Sequence, residues 1–329
     1  VKDRDLSLNL EGLIAAQSRL SAGNPILPVL AAKQSSTEAG ISGEERVAEV
    51  LRKSTFPFEL HTFHDLSPRA EEKFQTDTFC FTPWYGVVFE VKNIAGLLEF
   101  KENPPQLIRT LEDGHKDGYE SPVVQLERNR EFLSSWFKSR KIYLPIYGAV
   151  VLAYPKQIVK LPPAKTKILF PNLIPSFIKD LPQQAKKLDI ETFQRISKEL
   201  LNSHERYIPK PICESYRLSS SDFKPGVRCL TCGKIGMIKL PRTWHCPFCK
   251  GHEHLAHQRT LLEWFLIFKR SITNRECREF LGVDVHTATR ILQSMNLQST
   301  GKFRNQAYSM THENIPAVSI TGVSSHSQS

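Results

Sequence analysis

No apolar run in the 329-residue chain approaches the length that crosses a bilayer, so a helical membrane protein is excluded. The amino-terminal stretch VKDRDLSLNLEGLIAAQSRL also lacks a signal peptide's apolar core, because charges interrupt it throughout. A cytoplasmic location is therefore expected. No internal repeat is visible, which removes solenoids and propellers from consideration. Acidic excess is absent too: the formal charge is +10. It is unevenly placed. Through residue 160 there are 20 Lys and Arg against 21 Asp and Glu, and after it 24 against 13. A basic back half suits a polyanionic partner such as nucleic acid, although a solvated basic surface has the same composition. The seven cysteines do not read as a disulfide framework, since an export signal is lacking and four of them form two close pairs.

What is present is a soluble, globular composition, 40% hydrophobic and 24% charged, with enough apolar residues for two or three cores. Residues 1–39 predict one amphipathic helix, at about 5–22, and a proline-punctuated connector, NPILPVLAA. From 40 to 160 helical and strand patterns alternate, as in an α/β domain. GEERVAEVLRK (43–53) has Val47, Val50 and Leu51 at helical spacing. FQTDTFCF and VVFEVKN are strand-like, separated by TPWYG. SPVVQLERNREFLSSWFKSRK opens with Ser-Pro and continues as a helix, and IYGAVVLAY reads as a buried strand. Residues 161–222 are proline-rich with short helical stretches and are expected to connect. A Ser-rich, aperiodic tail, 311–329, is expected to be disordered.

Cys229-Leu-Thr-Cys232-Gly and Cys246-Pro-Phe-Cys249-Lys-Gly are two CxxC knuckles with thirteen residues between them. Zinc takes four thiolates at tetrahedral corners, and each CxxC turned by a following Gly supplies two from one side. The segment between them, KIGMIKLPRTWH, predicts the hairpin of a small zinc ribbon at 223–255. His245, His252 and His254 are not needed as ligands. Lys234, Lys239, Arg242 and Trp244 are candidate nucleic-acid contacts. The alternative is that the metal only staples a segment too small to build a core.

Residues 256–310 predict three helices followed by a hairpin. Leu261, Leu262, Phe265, Leu266 and Phe268 form an apolar stripe. Thr273 and Glu276 form a capping box, Gly282 permits a tight corner, and Asp284 caps VHTATRILQSMN. This order resembles winged-helix DNA-binding domains, in which the third helix enters the major groove and the wing touches the backbone. The resemblance makes His286, Thr287, Thr289, Arg290 and Gln293 the exposed helix residues, with Lys302 and Arg304 on the wing. Arg290 and Gln293 are then base readers, and Lys302 and Arg304 phosphate contacts. Such domains also dock proteins.

The sharpest chemistry sits on the two strands. Side chains alternate, so Glu90 and Lys92 share a face. A hairpin centred between Pro83 and Trp84 sets Asp77 opposite Glu90, with Cβ atoms about 5 Å apart. Two carboxylates so placed suit a divalent cation; the alternative is a half-exposed ion pair at a sheet edge. Glu-x-Lys alone carries no weight, because Glu71/Lys73 and Glu99/Lys101 repeat it. The order of Gly40-Ile-Ser-Gly43-Glu44, Gln75-Thr-Asp77, Glu90-Val-Lys92-Asn93 with Gly96, and Ser-Pro122-Val-Val-Gln125-Leu-Glu-Arg128 is more specific. Over residues 40 to about 160 it resembles the nuclease-related domain family, NERD, of the PD-(D/E)xK nuclease superfamily. The resemblance implies a restriction-endonuclease-like mixed sheet flanked by helices. It also implies Mg²⁺ or Mn²⁺ on Asp77 and Glu90, with the carbonyl of Val91 adding a ligand. Glu44 becomes the helix carboxylate approaching the metal, Lys92 the catalytic lysine and Gln125 the residue closing the site. Thr78 stands where such domains commonly carry histidine. The expected function is metal-dependent hydrolysis of DNA, targeted by ribbon and winged helix. The alternatives are a non-enzymatic DNA-binding regulator with an inert nuclease-like domain and a protein-docking adaptor.

Overall fold

The computed structural model describes residues 2–68, 74–154, 156–183, 188–302 and 305–311. Two compact units account for the chain: Val1–Asp5 with Thr37–Arg206, and Leu6–Ser36 with Tyr207–Ser329. The first elements are helices α1 (Leu8–Arg19) and α2 (Leu27–Lys53). The expected connector is thus helical from Leu27 onward, and α2 runs unbroken into the helix expected at 43–53. Pro28 does not stop it, because in a first turn the missing N–H has no partner to lose.

Strands β1 (His61–Leu66), β2 (Thr76–Phe81) and β3 (Gly86–Lys92) lead into a meander of β4 (Leu97–Glu102), β5 (Pro105–Thr110) and β6 (Lys116–Glu120). Then come α3 (Pro122–Lys138), β7 (Ile146–Leu152), β8 (Ile158–Leu161), β9 (Lys167–Leu169), α4 (Ile174–Asp180) and α5 (Ile190–Ser203). One sheet has the order β1-β2-β3-β7-β9, antiparallel through β3 and parallel beyond it. The other has the order β6-β5-β4-β8. The first unit is therefore mixed α/β. The stretch beyond residue 160 does not merely connect, since β9 extends the main sheet and α5 buries Phe193, Ile196 and Leu200.

β3 is buried on both faces, as a central strand between helical layers must be. Alternation sorts the core. Phe79, Phe81, Val88, Val150 and Leu152 cluster with Leu126 and Leu133 of α3 and with α5. Cys80, Val87, Phe89, Val91 and Val151 cluster with Val47 and Leu51 of α2 and Ile174 and Ile178 of α4. Two helical layers thus cover opposite faces of one sheet. α2 comes close because Gly43 has no side chain: a Cβ there would lie 2.5 Å from Asn93 Cβ and 3.2 Å from Ala153 Cβ.

In the second unit α1 joins α6 (Ile212–Tyr216), β10 (Val227–Arg228), β11 (Ile235–Leu240), β12 (Thr243–His245) and β13 (His252–Glu253). These strands form a four-stranded sheet in sequence order. Three further helices follow: α7 (Ala256–Ile267), α8 (Asn274–Leu281) and α9 (Val285–Ser294). A small sheet of β14 (Ser271–Thr273), β16 (Ala307–Ser309) and β15 (Gln298–Thr300) packs with them. The expected capping box at Thr273/Glu276, the Asp284 cap and the left-handed Gly282 (φ 69°) are all present. β14 was not legible in the sequence. α1 is held by a buried charge cluster: Arg19 Nε donates to Glu263 Oε2 at 2.6 Å, and Arg228 Nε to Glu263 Oε1 at 2.7 Å. Removing the acid would take the counter-charge from two buried guanidinium groups, at a cost of about 3–5 kcal/mol. Among the described residues no helix is long and apolar enough to cross a membrane.

Candidate active site and cysteine cluster

β2 and β3 pair with Thr78 opposite Phe89 and Phe81 opposite Gly86, the register centred between Pro83 and Trp84. Continued by one residue, it sets Asp77 opposite Glu90. Both residues, with Lys92, share the parity of Phe79 and Val88 and so lie on the α3 side of the sheet. Lys92 Nζ donates to Glu90 Oε1 at 2.7 Å, and Asp77 Oδ2 accepts the backbone N–H of Val91 at 2.7 Å. By contrast, Glu99 and Lys101 pair on a solvent-facing strand, while Glu71 and Lys73 lie outside the described residues.

Burial governs the electrostatics. It raises the Glu90 carboxyl to about 8, with the nearby Asp77 charge adding and Lys92 opposing. Burial also raises Asp77, against Lys92 and the Val91 N–H. For Lys92 burial acts downward, but the Glu90 and Asp77 charges outweigh it and the ammonium is held above its ordinary value.

Asp77 and Glu90 open on a cleft of about 540 Å³ lined also by Phe74, Gln75, Gln125, Arg128, Asn129 and Phe132. Phe74 and Phe132 stack at 4.9 Å to form an apolar wall. Gln125 lines this cleft, and its amide donates to Glu120 at 2.6 Å. Asn129 was missed by sequence reasoning. It is buried one turn beyond Gln125 and donates to Gln75 O at 3.1 Å and Glu90 Oε2 at 3.4 Å. Its i+4 spacing from Gln125 was the available signal.

Glu44 lies on α2, whose apolar residues pack in the layer on the opposite face; its carboxylate forms an ion pair with Arg4, and its charge acts on Glu90 and Lys92. Asp65, in a left-handed backbone conformation (φ 52°), lies 3.9 Å from Arg4 and accepts from Gln75 at 2.7 Å. Burial and then Asp77 raise the Glu44 carboxyl to about 7 despite Arg4. Among the described residues Glu44, Asp77 and Glu90 do not converge on a single point as three ligands would. Neither Arg4 nor Asp65 was singled out in the sequence, because nothing local ties them to Glu44.

The four cysteines do converge. The Sγ atoms of Cys229, Cys232, Cys246 and Cys249 all lie within 4.8 Å of one another, a group that could hold a metal ion. Matched turns build it: Gly233 N–H donates to Cys229 O at 2.8 Å, and Lys250 N–H to Cys246 O at 2.9 Å. The rings of His245 and His252 lie against each other, tilted by 38° with centroids 4.7 Å apart. Trp244 is not a surface contact: it is 1% exposed, and its Nε1 donates to His257 Nδ1.

On α9, His286, Arg290 and Gln293 are exposed and Thr289 is half-buried. Thr287 is a correction, since it is buried and its hydroxyl donates to Asp284 at 2.6 Å, closing the helix cap. Lys302 is exposed; Arg304 lies outside the described residues, as does the tail after Thr311.

No curated protein and no solved structure matches the chain. The mixed α/β unit, with several sheets flanked by helices, fits a nuclease-like fold. Residues 39–153 match the family model described as nuclease-related domain, NERD, a span that contains Glu44, Asp77, Glu90, Lys92 and Gln125 but not Arg4.

Proposed function

We propose that the chain is a metal-dependent nuclease that hydrolyses DNA phosphodiester bonds, directed by a zinc ribbon and a winged helix in its second unit. The observation that carries this reading is the trio Asp77, Glu90 and Lys92 on one face of a buried hairpin, the two carboxylates lining a cleft within the segment similar to nuclease-related domains and Lys92 bound to Glu90. The donor set fits a hard divalent cation. Two buried carboxylates are raised by burial, Glu90 also by its neighbour, and a cation between them relieves both effects. Bound there, Mg²⁺ or Mn²⁺ would polarise a scissile phosphate and lower the pKa of an attacking water. Lys92 holds positive charge where negative charge develops on the phosphate oxygens. Asn129 orients Glu90, Gln125 and Arg128 line the approach of the strand, and the Phe74–Phe132 wall excludes water from one side.

In the second unit the four thiolates suit zinc, and the helix-helix-helix order with a terminal hairpin supports a winged helix presenting α9 to DNA. One zinc per chain, lost in Cys232→Ser, tests the cluster. Conversion of supercoiled plasmid by the full chain with Mg²⁺, compared with Asp77→Ala, tests the nuclease. Equal rates in the two proteins sink that reading. A second reading, a DNA-binding protein whose nuclease-like domain is inert, draws on one observation: Arg4 already occupies Glu44.

A further inference from the structure

Along α9 two faces differ in their surroundings. His286, Arg290 and Gln293 fall on an outward face, while Thr287, Ile291 and Ser294 fall about 100° round the axis. The second face, with Arg290 at its edge, lines a groove of about 1040 Å³ whose opposite wall is the β11–β12 hairpin. Both walls belong to the same compact unit.

The groove combines apolar residues with cations held only by neutral acceptors: Lys239 Nζ donates to Leu240 O at 2.6 Å and Thr243 O at 3.2 Å, and Arg290 Nη2 to Thr287 Oγ1 at 3.4 Å. Lys239, Arg242 and Arg290 line it, and none of the three has a carboxylate partner among the described residues. Some other cations of the unit do have one: Arg259 pairs with Glu253, Lys269 with Glu276 and Arg275 with Glu279. The lining's only carboxylate, Asp284, is already saturated as the cap of α9 by two backbone N–H groups and the Thr287 hydroxyl. Burial, and then Arg290 itself, hold the Lys239 ammonium below its ordinary value, so the two cations repel across the groove. Met237, Ile238, Leu240 and Ile291 also line it; Met237 and Ile291 are buried, while Ile238 and Leu240, of the other parity on β11, are 51% and 38% exposed. Cations alone would suit any anion. Cations bordered by exposed aliphatic side chains suit an anion whose charges are spaced along an apolar chain.

We propose that the groove between the β11–β12 hairpin and α9 holds one sugar–phosphate strand of duplex DNA, with Lys239, Arg242 and Arg290 as phosphate contacts. The inference rests on the reading of α9 as DNA-directed and adds what the cysteine cluster is for. When a helix enters a major groove, the sugar–phosphate walls pass along its flanks. The ribbon flanks α9 on the side away from His286 and Gln293. It therefore clamps the strand that runs past the inserted helix, with deoxyribose edges on the exposed aliphatic side chains. Arg290 changes role accordingly, from base reader to backbone contact, which leaves His286 and Gln293 to meet bases.

The test is the salt dependence of duplex binding by the full chain in magnesium-free buffer, read by anisotropy of a labelled duplex. Each phosphate contact contributes a slope of about −0.9 in log K against log salt. Lys239→Ala/Arg242→Ala/Arg290→Ala should lose about 2–3 from that slope and at least tenfold in affinity at moderate salt, equally across duplex sequences. Lys239→Arg/Arg242→Lys/Arg290→Lys should restore the slope. Lys210→Ala/Lys224→Ala/Lys250→Ala, which removes as much charge elsewhere in the unit, should keep most of it. An unchanged slope in the groove variant overturns the clamp while leaving DNA binding in place. Tighter binding to the single strand than to the duplex overturns the assignment of the occupant. A wild-type chain that binds no duplex removes the DNA-directed reading together with the clamp.

Discussion

Asn129 reaches Glu90 from the helix above the sheet, its Nδ2 lying 3.4 Å from Glu90 Oε2 while Lys92 holds Oε1 at 2.7 Å. The carboxylate is thus gripped at both oxygens, by a fixed amide and by a cation that phosphate chemistry would recruit. Groups that orient a ligand carboxylate typically carry 10–100-fold of metal affinity or activity. Asn129→Ala should therefore lose about 10–100-fold in Mg²⁺-dependent cleavage. Wild-type turnover in that variant would show that Glu90 needs no orientation.

Gly43 controls how closely α2 approaches the sheet, and Glu44 is the next residue. A methyl group there would meet Asn93 Cβ at 2.5 Å, so Gly43→Ala must push the helix outward. Overpacking of this kind costs about 1–3 kcal/mol. Chemical denaturation should report that loss in the first unit's transition, and an unchanged midpoint would mean that α2 has room to spare.

Acid sensitivity of the first unit should trace to His64. Burial first, then the Arg4 charge, lower its pKa from 6.5 to about 4, and its Nδ1 shares a 3.0 Å hydrogen bond with Thr78. The fold therefore holds the neutral ring. Between those two values the unfolded chain binds the extra proton, so stability is full above about pH 6.5 and falls as pH drops toward 4. The whole shift corresponds to about 3 kcal/mol. Thermal melts from pH 7 to pH 4 should show a smaller fall for His64→Gln than for wild type. Parallel curves would assign the acid loss to other groups.

How much of this was legible in the sequence depends on how local each feature is. The β2–β3 register followed from counting outward from the turn, and parity then put Glu90 and Lys92 on one face. The knuckles, the caps at Thr273 and Asp284, and the corner at Gly282 are set within a few residues and were readable for that reason. β4–β6 were not read, because a meander with exposed positions on β5 and β6 carries no clean apolar alternation. Helix α1 was legible as a helix but not as part of the second unit, since the residues that fix it there, from Glu263 on Arg19 to the apolar side chains of α7, lie more than 200 positions away. Arg4 on Glu44 escaped for the same reason. Trp244 and Thr287 were misread as surface contacts because residue type does not reveal which side of a three-residue strand or a short helix is covered.

The central claim is that Lys92 serves the chemistry while Asp77 and Glu90 serve the metal, and one comparison separates the two. Lys92→Met, assayed at saturating Mg²⁺, should cleave DNA at least about 100-fold more slowly than wild type. Its melting temperature should still rise on adding Mg²⁺. Cleavage by Lys92→Met at the wild-type rate would contradict the account.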